Sequence, residues 1–358
     1  MKILSIVGAR PQFVKLAPIA RAFTGLPDVE HVIVHTGQHY DAGMSDVFFE
    51  ELHIPTPDVN LGIGSGSHGQ QTGSMLSALD ALLDDHRPDW TLVYGDTNST
   101  MAGALAAVKL HLPVAHLEAG LRSFNRLMPE EHNRVLTDHA ADLLLAPTEV
   151  AMRHLAREGL ESRALLVGDV MTDVCLHVRD AMAGSHDPLP GQIPDDAPYV
   201  VATIHRAENT DDPLRLAEVV NALRTLDHRV VLLAHPRLVA RAEAAGISLS
   251  GGSLHAAAPL PYAAMVRAVM GAVGVVTDSG GLQKEAYLLG TPCTTIRGET
   301  EWVETLEDGW NVLDPDLADL AQLATRSRPT TQRSTPFGDG HAAERVADAL
   351  RSASPIPN

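Results

Sequence analysis

Cysteine is nearly absent from this chain of 358 residues: only Cys175 and Cys293 occur, far apart and outside any Cys-x-x-Cys pattern. That spacing excludes a disulfide framework or a zinc ribbon, fits a reducing compartment, and makes both residues expected core thiols. Positive charge is also scarce. Lys and Arg number 27 against 45 Asp and Glu, a formal net charge of -18 at pH 7. Nonspecific attraction to nucleic acid or to an anionic membrane surface is therefore disfavoured, and neither is expected as a partner. An anionic ligand needs locally placed cations instead. No apolar run is long enough to span a bilayer. The N-terminal residues Lys2-Ile3-Leu4-Ser5-Ile6-Val7 read as a strand, without a basic n-region, a long h-region and a cleavage site. A cytoplasmic protein is expected.

Several chemical signatures are missing too. There is no Gly-Lys-Ser/Thr P-loop and no His-Glu-x-x-His helix, and the 18 histidines form no closed ligand set by spacing, so no metal is expected. Gly64-x-Gly66-x-x-Gly69 matches the dinucleotide fingerprint by letter. It follows Pro55-Thr56-Pro57 and lacks a preceding strand and a strand-end carboxylate at the required distance, so it reads as a loop, with no redox cofactor implied. Low-complexity tracts are absent as well. With 45% hydrophobic and 20% charged residues, the chain can bury enough apolar surface to fold throughout.

What is present is a rhythm. The length suits two domains and hence a cleft between them. Ile3 to Val7, Val29 to His35, Trp90 to Tyr94, Pro113 to Glu118 and Asp142 to Ala146 read as strands separated by helix-length segments, which means a parallel sheet. Met75, Leu76, Leu79, Leu82 and Leu83 share one face of a helix over Gln71 to Asp85, and Thr148 caps another helix. Breaker residues crowd Gly184 to Pro198 in the manner of an exposed linker. The rhythm then resumes with strands at Tyr199 to Thr203, Arg229 to Ala234 and Ala272 to Thr277, and with helices at Pro261 to Met270 and Leu282 to Leu289. The expected fold is α/β, two doubly wound Rossmann-like domains facing across a cleft. The domains are drawn at 1–170, joined by a C-terminal helix in 341–358, and at 171–340.

Chemistry concentrates at strand ends. Val275-Val276-Thr277-Asp278-Ser279-Gly280-Gly281 is an apolar strand running through a small-residue turn into a helix. The first turn of a helix offers unpaired N–H groups and partial positive charge, and glycines let an anion approach the backbone. A diphosphate fits there, although an ordinary βα turn reads the same way. Ser279 adds a hydroxyl, and Glu285, one helical turn on, is placed to reach ribose hydroxyls. In the first half, Arg10 ends the first strand before Pro11, and Lys15 follows one turn into the helix, so both are candidate partners for an anion. Two further strands end in acids, Asp96 and Glu118, whose carboxylates converge on the same crevice in an open parallel sheet. Glu130 and Glu131 begin a helix, where acids often serve only the dipole. His205 and Arg206 follow the first strand of the second half and suit charge neutralisation of a diphosphate.

These segments together resemble the non-hydrolysing UDP-N-acetylglucosamine 2-epimerase family. The resemblance rests on Gly-Ala-Arg-Pro-Gln-Phe-Val-Lys from 8, Thr-Gly-Gln-His from 36, Gly-Asp-Thr from 95, His-Leu-Glu-Ala-Gly-Leu-Arg from 116, Pro-Glu-Glu-His-Asn-Arg from 129, His-Arg-Ala-Glu from 205, Asp-Ser-Gly-Gly-Leu-Gln-Lys-Glu from 278 and Pro-Phe-Gly-Asp-Gly from 336. It implies the glycosyltransferase-B architecture, a homodimer, and interconversion of UDP-N-acetylglucosamine and UDP-N-acetylmannosamine without metal or nicotinamide. Arg10, Lys15, Asp96, Glu118, Glu130 and His205 match active-site positions. Ser279, Gly280, Gly281 and Glu285 match the UDP site, and Pro259 to Met265 the segment under the uracil. The sequence departs from many members in having Glu301-Trp302-Val303-Glu304 for Glu-Arg-Pro-Glu and Gln38-His39-Tyr40 for Gln-His-Arg. The missing arginines bear on allosteric activation by a second UDP-N-acetylglucosamine and on the sugar's substituents, since a related branch epimerises UDP-2,3-diacetamido-2,3-dideoxyglucuronate. A glycosyltransferase of the same architecture would also hold UDP at 278–281, but would not need the acids of the first half.

Overall fold

The structure is a computed structural model that describes residues 1–38, 54–184, 189–190, 193–194 and 197–353, without the side chains of Arg10 and Asp308. His39, Tyr40 and much of the expected linker lie outside the described residues. The chain divides into two compact units, Met1–Val174 with Thr335–Asn358, and Cys175–Ser334.

The first unit runs β1 (Lys2–Val7), α1 (Arg10–Thr24), β2 (Glu30–His35), β3 (Val59–Asn60), α2 (His68–His86), β4 (Trp90–Tyr94), α3 (Asn98–Lys109), β5 (Val114–Leu117), α4 (Pro129–Ala140), β6 (Leu143–Ala146), α5 (Glu149–Arg157) and β7 (Ala164–Leu166), and the division falls inside α6 (Val170–Met182). Its seven strands form one parallel sheet ordered β3-β2-β1-β4-β5-β6-β7. A parallel sheet is covered on both faces, so its strands are apolar throughout rather than alternating; Ile3, Leu4, Ile6 and Val7 are all fully buried. Met75, Leu79 and Leu83 of α2 join the same core, with Leu76 and Leu82 partly buried against it. The last helix, α13 (Ala342–Ser352), packs on α1. Asp173 holds its start by accepting the N–H of Ala342 and Ala343 at 3.0 and 2.7 Å, and the Trp90 indole donates to the Leu350 carbonyl at 3.1 Å.

The second unit repeats the plan with β8 (Tyr199–Thr203), α7 (Ala207–Thr210), α8 (Pro213–Arg224), β9 (Arg229–Leu233), α9 (Pro236–Ala244), β10 (Leu254–Ala257), α10 (Tyr262–Gly271), β11 (Gly274–Thr277), α11 (Gly280–Leu289), β12 (Cys293–Thr295), β13 (Asn311–Leu313) and α12 (Leu320–Leu323). Its six strands are again parallel, ordered β10-β9-β8-β11-β12-β13. Both units are therefore doubly wound Rossmann-like domains. In each sheet the order reverses once, between β1 and β4 and between β8 and β11. Crevices for ligands open at the carboxyl ends of strands at such reversals. The turns at those points are Gly8-Ala9 and Gly95-Asp96 in the first unit, and Ile204-His205 and Asp278-Ser279 in the second.

Candidate active site

Around the first reversal, acids and cations are packed into pairs. Gly95 takes a positive φ of 61° as β4 turns into α3, and Thr97 caps that helix. The Asp96 carboxylate pairs with Arg134 of α4, and the Asn133 amide donates to the Asp96 carbonyl at 2.9 Å. Arg134 also reaches Glu131 at 3.1 Å, while its buried Nε has no acceptor among the described residues. Glu118, at the end of β5, has φ 72°, a left-handed value rare for a residue with a Cβ. Its bend is fixed because the N–H groups of Glu118 and Ala119 both donate to the Leu145 carbonyl, at 3.1 and 3.2 Å.

Lys15 projects from α1 to pair with Glu118, each side chain only 12% exposed. Burial alone would lower the Lys15 pKa, but Glu118, Asp96 and Asp169 outweigh it and hold the group above the usual lysine value. Its ammonium thus serves the acids of its own unit rather than standing free for an anion.

The two glutamates at the start of α4 have different tasks. Glu131 is buried and accepts the Ser123 N–H at 2.9 Å, the Ser123 hydroxyl at 2.8 Å and the Phe124 N–H at 3.0 Å. Burial opposes its charge, yet these donors and Arg134 hold its carboxyl below the ordinary range. It fastens the loop after β5. Glu130 is half-buried, and its carboxylate has no partner among the described residues. The sequence gives no sign of Arg134, Asn133 or Glu131 as supports, because each works across a turn of folded backbone.

At the second reversal Asp278 is fully buried and acts as an organiser. It accepts the N–H of His205 at 3.1 Å and of Arg206 at 3.0 Å, and the Asn209 amide at 3.2 Å. The His205 Nδ1 lies 3.3 Å from the same carboxylate. Burial lowers the His205 pKa, Asp278 opposes this, and Arg206, His235 and Arg237 reinforce it. Net, the imidazole is biased toward its neutral form. Ser279 caps α11, its hydroxyl accepting the Leu282 N–H at 3.4 Å. The Glu301 carboxylate lies against Gly280, where any Cβ would collide with it. It pairs with Arg297 at 2.9 Å and with Arg206 at 3.6 Å. A Cβ at Gly281 would come near only the Ser279 hydroxyl, at 3.9 Å, so that position is open.

Glu285, on the next turn of α11, is buried beside Tyr262, and burial pushes its carboxyl up to about 7 against opposition from Tyr262 and Lys284. Met265 of α10 packs against the core cluster containing Val201 and Val275. Trp302 stacks under Lys284, whose ammonium lies 4.0 Å from the ring centroid. A cleft of about 520 Å³ opens within this unit at the ends of β9 and β10, lined by Ala234, Pro236, Val239, Ala256 and Pro259 among others. Among the described residues no cluster of His, Cys, Asp or Glu is arranged to hold a metal ion. No helix among them is long and apolar enough to cross a membrane.

Comparison with known proteins bears on these pairs. The family model described as UDP-N-acetylglucosamine 2-epimerase matches residues 21–351. The UDP-N-acetylglucosamine 2-epimerase of Methanocaldococcus jannaschii is 40% identical over 98% of this chain and 99% of its own. The UDP-2,3-diacetamido-2,3-dideoxy-D-glucuronate 2-epimerase of Pseudomonas aeruginosa is 45% identical, again over 98% of this chain and 99% of its own. Among solved structures, the M. jannaschii epimerase in complex with UDP-GlcNAc and UDP superposes with a TM-score of 0.85 at 38% identity, covering 99% of this chain and 100% of that one.

Proposed function

The chain belongs to the UDP-N-acetylglucosamine 2-epimerase family, and from that premise we propose that it interconverts UDP-N-acetylglucosamine and UDP-N-acetylmannosamine by losing and regaining UDP. It is an isomerase of a UDP-sugar. One observation carries the mechanism: Asp96 and Glu118 stand at neighbouring strand ends, Glu118 paired with the buried ammonium of Lys15 and Asp96 with Arg134. Two carboxylates so placed can take and return a proton. The C2 hydrogen of a hexosamine is not α to a carbonyl, so removing it directly is prohibitively hard. Breaking the C1–O bond solves this, because positive character at C1 acidifies the C2 hydrogen. A carboxylate takes that proton, leaving UDP and a 2-acetamidoglucal. Returning a proton to the opposite face of C2 and the UDP oxygen to C1 completes the epimer.

Asp96, Glu118 and Glu130 share the proton transfers, with Lys15 fixing Glu118 and balancing its charge. Departing UDP needs donors aimed at its growing charge. The N–H groups of Gly280 and Gly281 at the start of α11, with Ser279, Arg206, His205 and Arg10, are proposed to supply them, Glu301 yielding its place beside Gly280. Glu285 takes the ribose, and the segment from Pro259 to Met265, which begins at the apolar cleft of the second unit, takes the uracil. A cytoplasmic homodimer is part of the same reading, and light scattering that returned the mass of one chain would defeat the dimer.

A second reading concerns the sugar. The 45% identity with the diacetamido-glucuronate epimerase favours a related substrate carrying a second acetamido group and a carboxylate. Incubation with each UDP-sugar in turn, with products separated by anion exchange, decides between them. The proposal expects UDP-N-acetylmannosamine from UDP-N-acetylglucosamine. Turnover of the diacetamido sugar alone would assign the second substrate, and turnover of neither would refute both.

A further inference from the structure

Between the two strand ends that carry Asp96 and Glu118 lies a fully buried charged pair with no part in the proposed chemistry. His116 of β5 and Asp138 of α4 are both 0% exposed, and the Nδ1 of His116 meets Asp138 at 2.7 Å. The other ring nitrogen, Nε2, lies 2.7 Å from the Gly95 carbonyl. The second oxygen of Asp138 accepts the Gly120 N–H at 3.1 Å and meets Arg122 at 2.7 Å. Arg122 is in turn gripped by both oxygens of Glu158 at 2.8 Å.

Hydrogen-bond accounting fixes the charge on the ring. The Gly95 carbonyl can only accept, so Nε2 carries a hydrogen. Asp138 already receives two donors on one oxygen, and although burial opposes its charge, His116 and Arg122 hold its carboxyl below the ordinary range. The Arg122 guanidinium and the Gly120 N–H on that second oxygen favour the anion, so that Nδ1 donates to Asp138 as Nε2 donates to Gly95. The neighbours of His116 on either side are the residues that hold the catalytic acids: Gly95, at φ 61°, precedes Asp96, and Gly120, at φ 83°, follows Glu118, itself at φ 72°. These unusual backbone angles are spanned by one pair of charged side chains.

We propose that the His116–Asp138 ion pair is the positioning element of the epimerase, a charged clamp that ties the Gly95 turn to the Gly120 turn and so sets the placement of Asp96 relative to Glu118. His116 and Asp138 touch no substrate in this proposal. They act through the backbone, which is why their loss reaches the chemistry. The inference rests on the reading of Asp96 and Glu118 as the proton-transfer groups.

Two measurements test it. In wild-type protein with 15N-labelled histidine, the His116 ring, identified by its disappearance in His116→Gln, is expected to show hydrogen on both nitrogens at neutral pH; the 15N shift of a bare ring nitrogen would overturn the clamp. Next come His116→Gln and the double variant His116→Gln/Asp138→Asn, which removes both charges together and leaves no lone buried ion. Displacement of a catalytic group by about 1 Å costs about 100-fold. The turnover number is accordingly expected to fall about 100-fold, with KM and UDP affinity little changed. A folded double variant with wild-type turnover would overturn the proposal. If wild-type protein turned over no UDP-sugar while both ring hydrogens were present, the catalytic reading would fail, and the pair would be only a structural brace.

Discussion

Glu118 holds a left-handed backbone conformation at φ 72°, which costs a side-chain-bearing residue on the order of 1–3 kcal/mol. The carboxylate it presents to Lys15 repays that strain in function rather than stability. Glu285 stores a second tension. Its carboxyl is pushed from 4.5 up to about 7 by burial, so the folded protein keeps a proton that the unfolded chain releases from about pH 4.5 upward. Stability is therefore highest below that value, declines as pH rises toward 7, and is flat beyond, the whole fall being on the order of 3 kcal/mol. Glu285→Gln is expected to flatten this decline, melting above wild type at pH 8 when no UDP is present while binding UDP more weakly. Melting curves between pH 5 and pH 8 that ran parallel for the two proteins would contradict it. Asp96, Glu118 and Glu285 were legible in the sequence because each sits at a strand end or one turn into a helix. The Lys15–Glu118 pairing was not, since its partners are 103 residues apart, and the choice of Glu130 over Glu131 becomes physical only when Ser123 and Phe124 are seen to occupy the latter.

At the scale of the element, α11 depends on its first turn. Ser279 caps it, and the Glu301 carboxylate fills the space beside Gly280. A methyl group at 280 would occupy the space that the Glu301 carboxylate is proposed to vacate and screen the N–H groups from an anion. Gly280→Ala is thus expected to weaken UDP binding by at least about 10-fold, a loss of about 1.4 kcal/mol, measured by calorimetry; unchanged affinity would place the diphosphate elsewhere. The strand-turn-helix pattern here was plain from the sequence. By contrast β7, β12 and β13 span only three residues each, too few for periodicity to speak, and β12 reads Cys293-Thr294-Thr295, with no apolar run to mark it. Trp302 shows a different limit. Only the fold reveals that its ring seats Lys284 at 4.0 Å, a contact worth about 0.5–2 kcal/mol that an arginine there would turn into repulsion.

For the molecule as a whole, two parallel sheets each reverse their strand order once, and the proposed functional residues lie at the carboxyl ends of strands at or near those reversals, or on the helices that follow. The alternation of strand and helix made the doubly wound class readable from the sequence, whereas the clamp between the Gly95 and Gly120 turns depended on side chains brought together by folding. Bond breaking at C1 and proton exchange at C2 are, in the proposed reaction, one process, with the same UDP leaving and returning. Proton NMR of UDP-N-acetylglucosamine incubated with the protein in D2O tests it most directly. Wild type is expected to place deuterium at C2 of both epimers with UDP still attached, and Asp96→Asn to abolish that exchange while still binding UDP. Epimer formed without deuterium at C2, or exchange undiminished in Asp96→Asn, would contradict it.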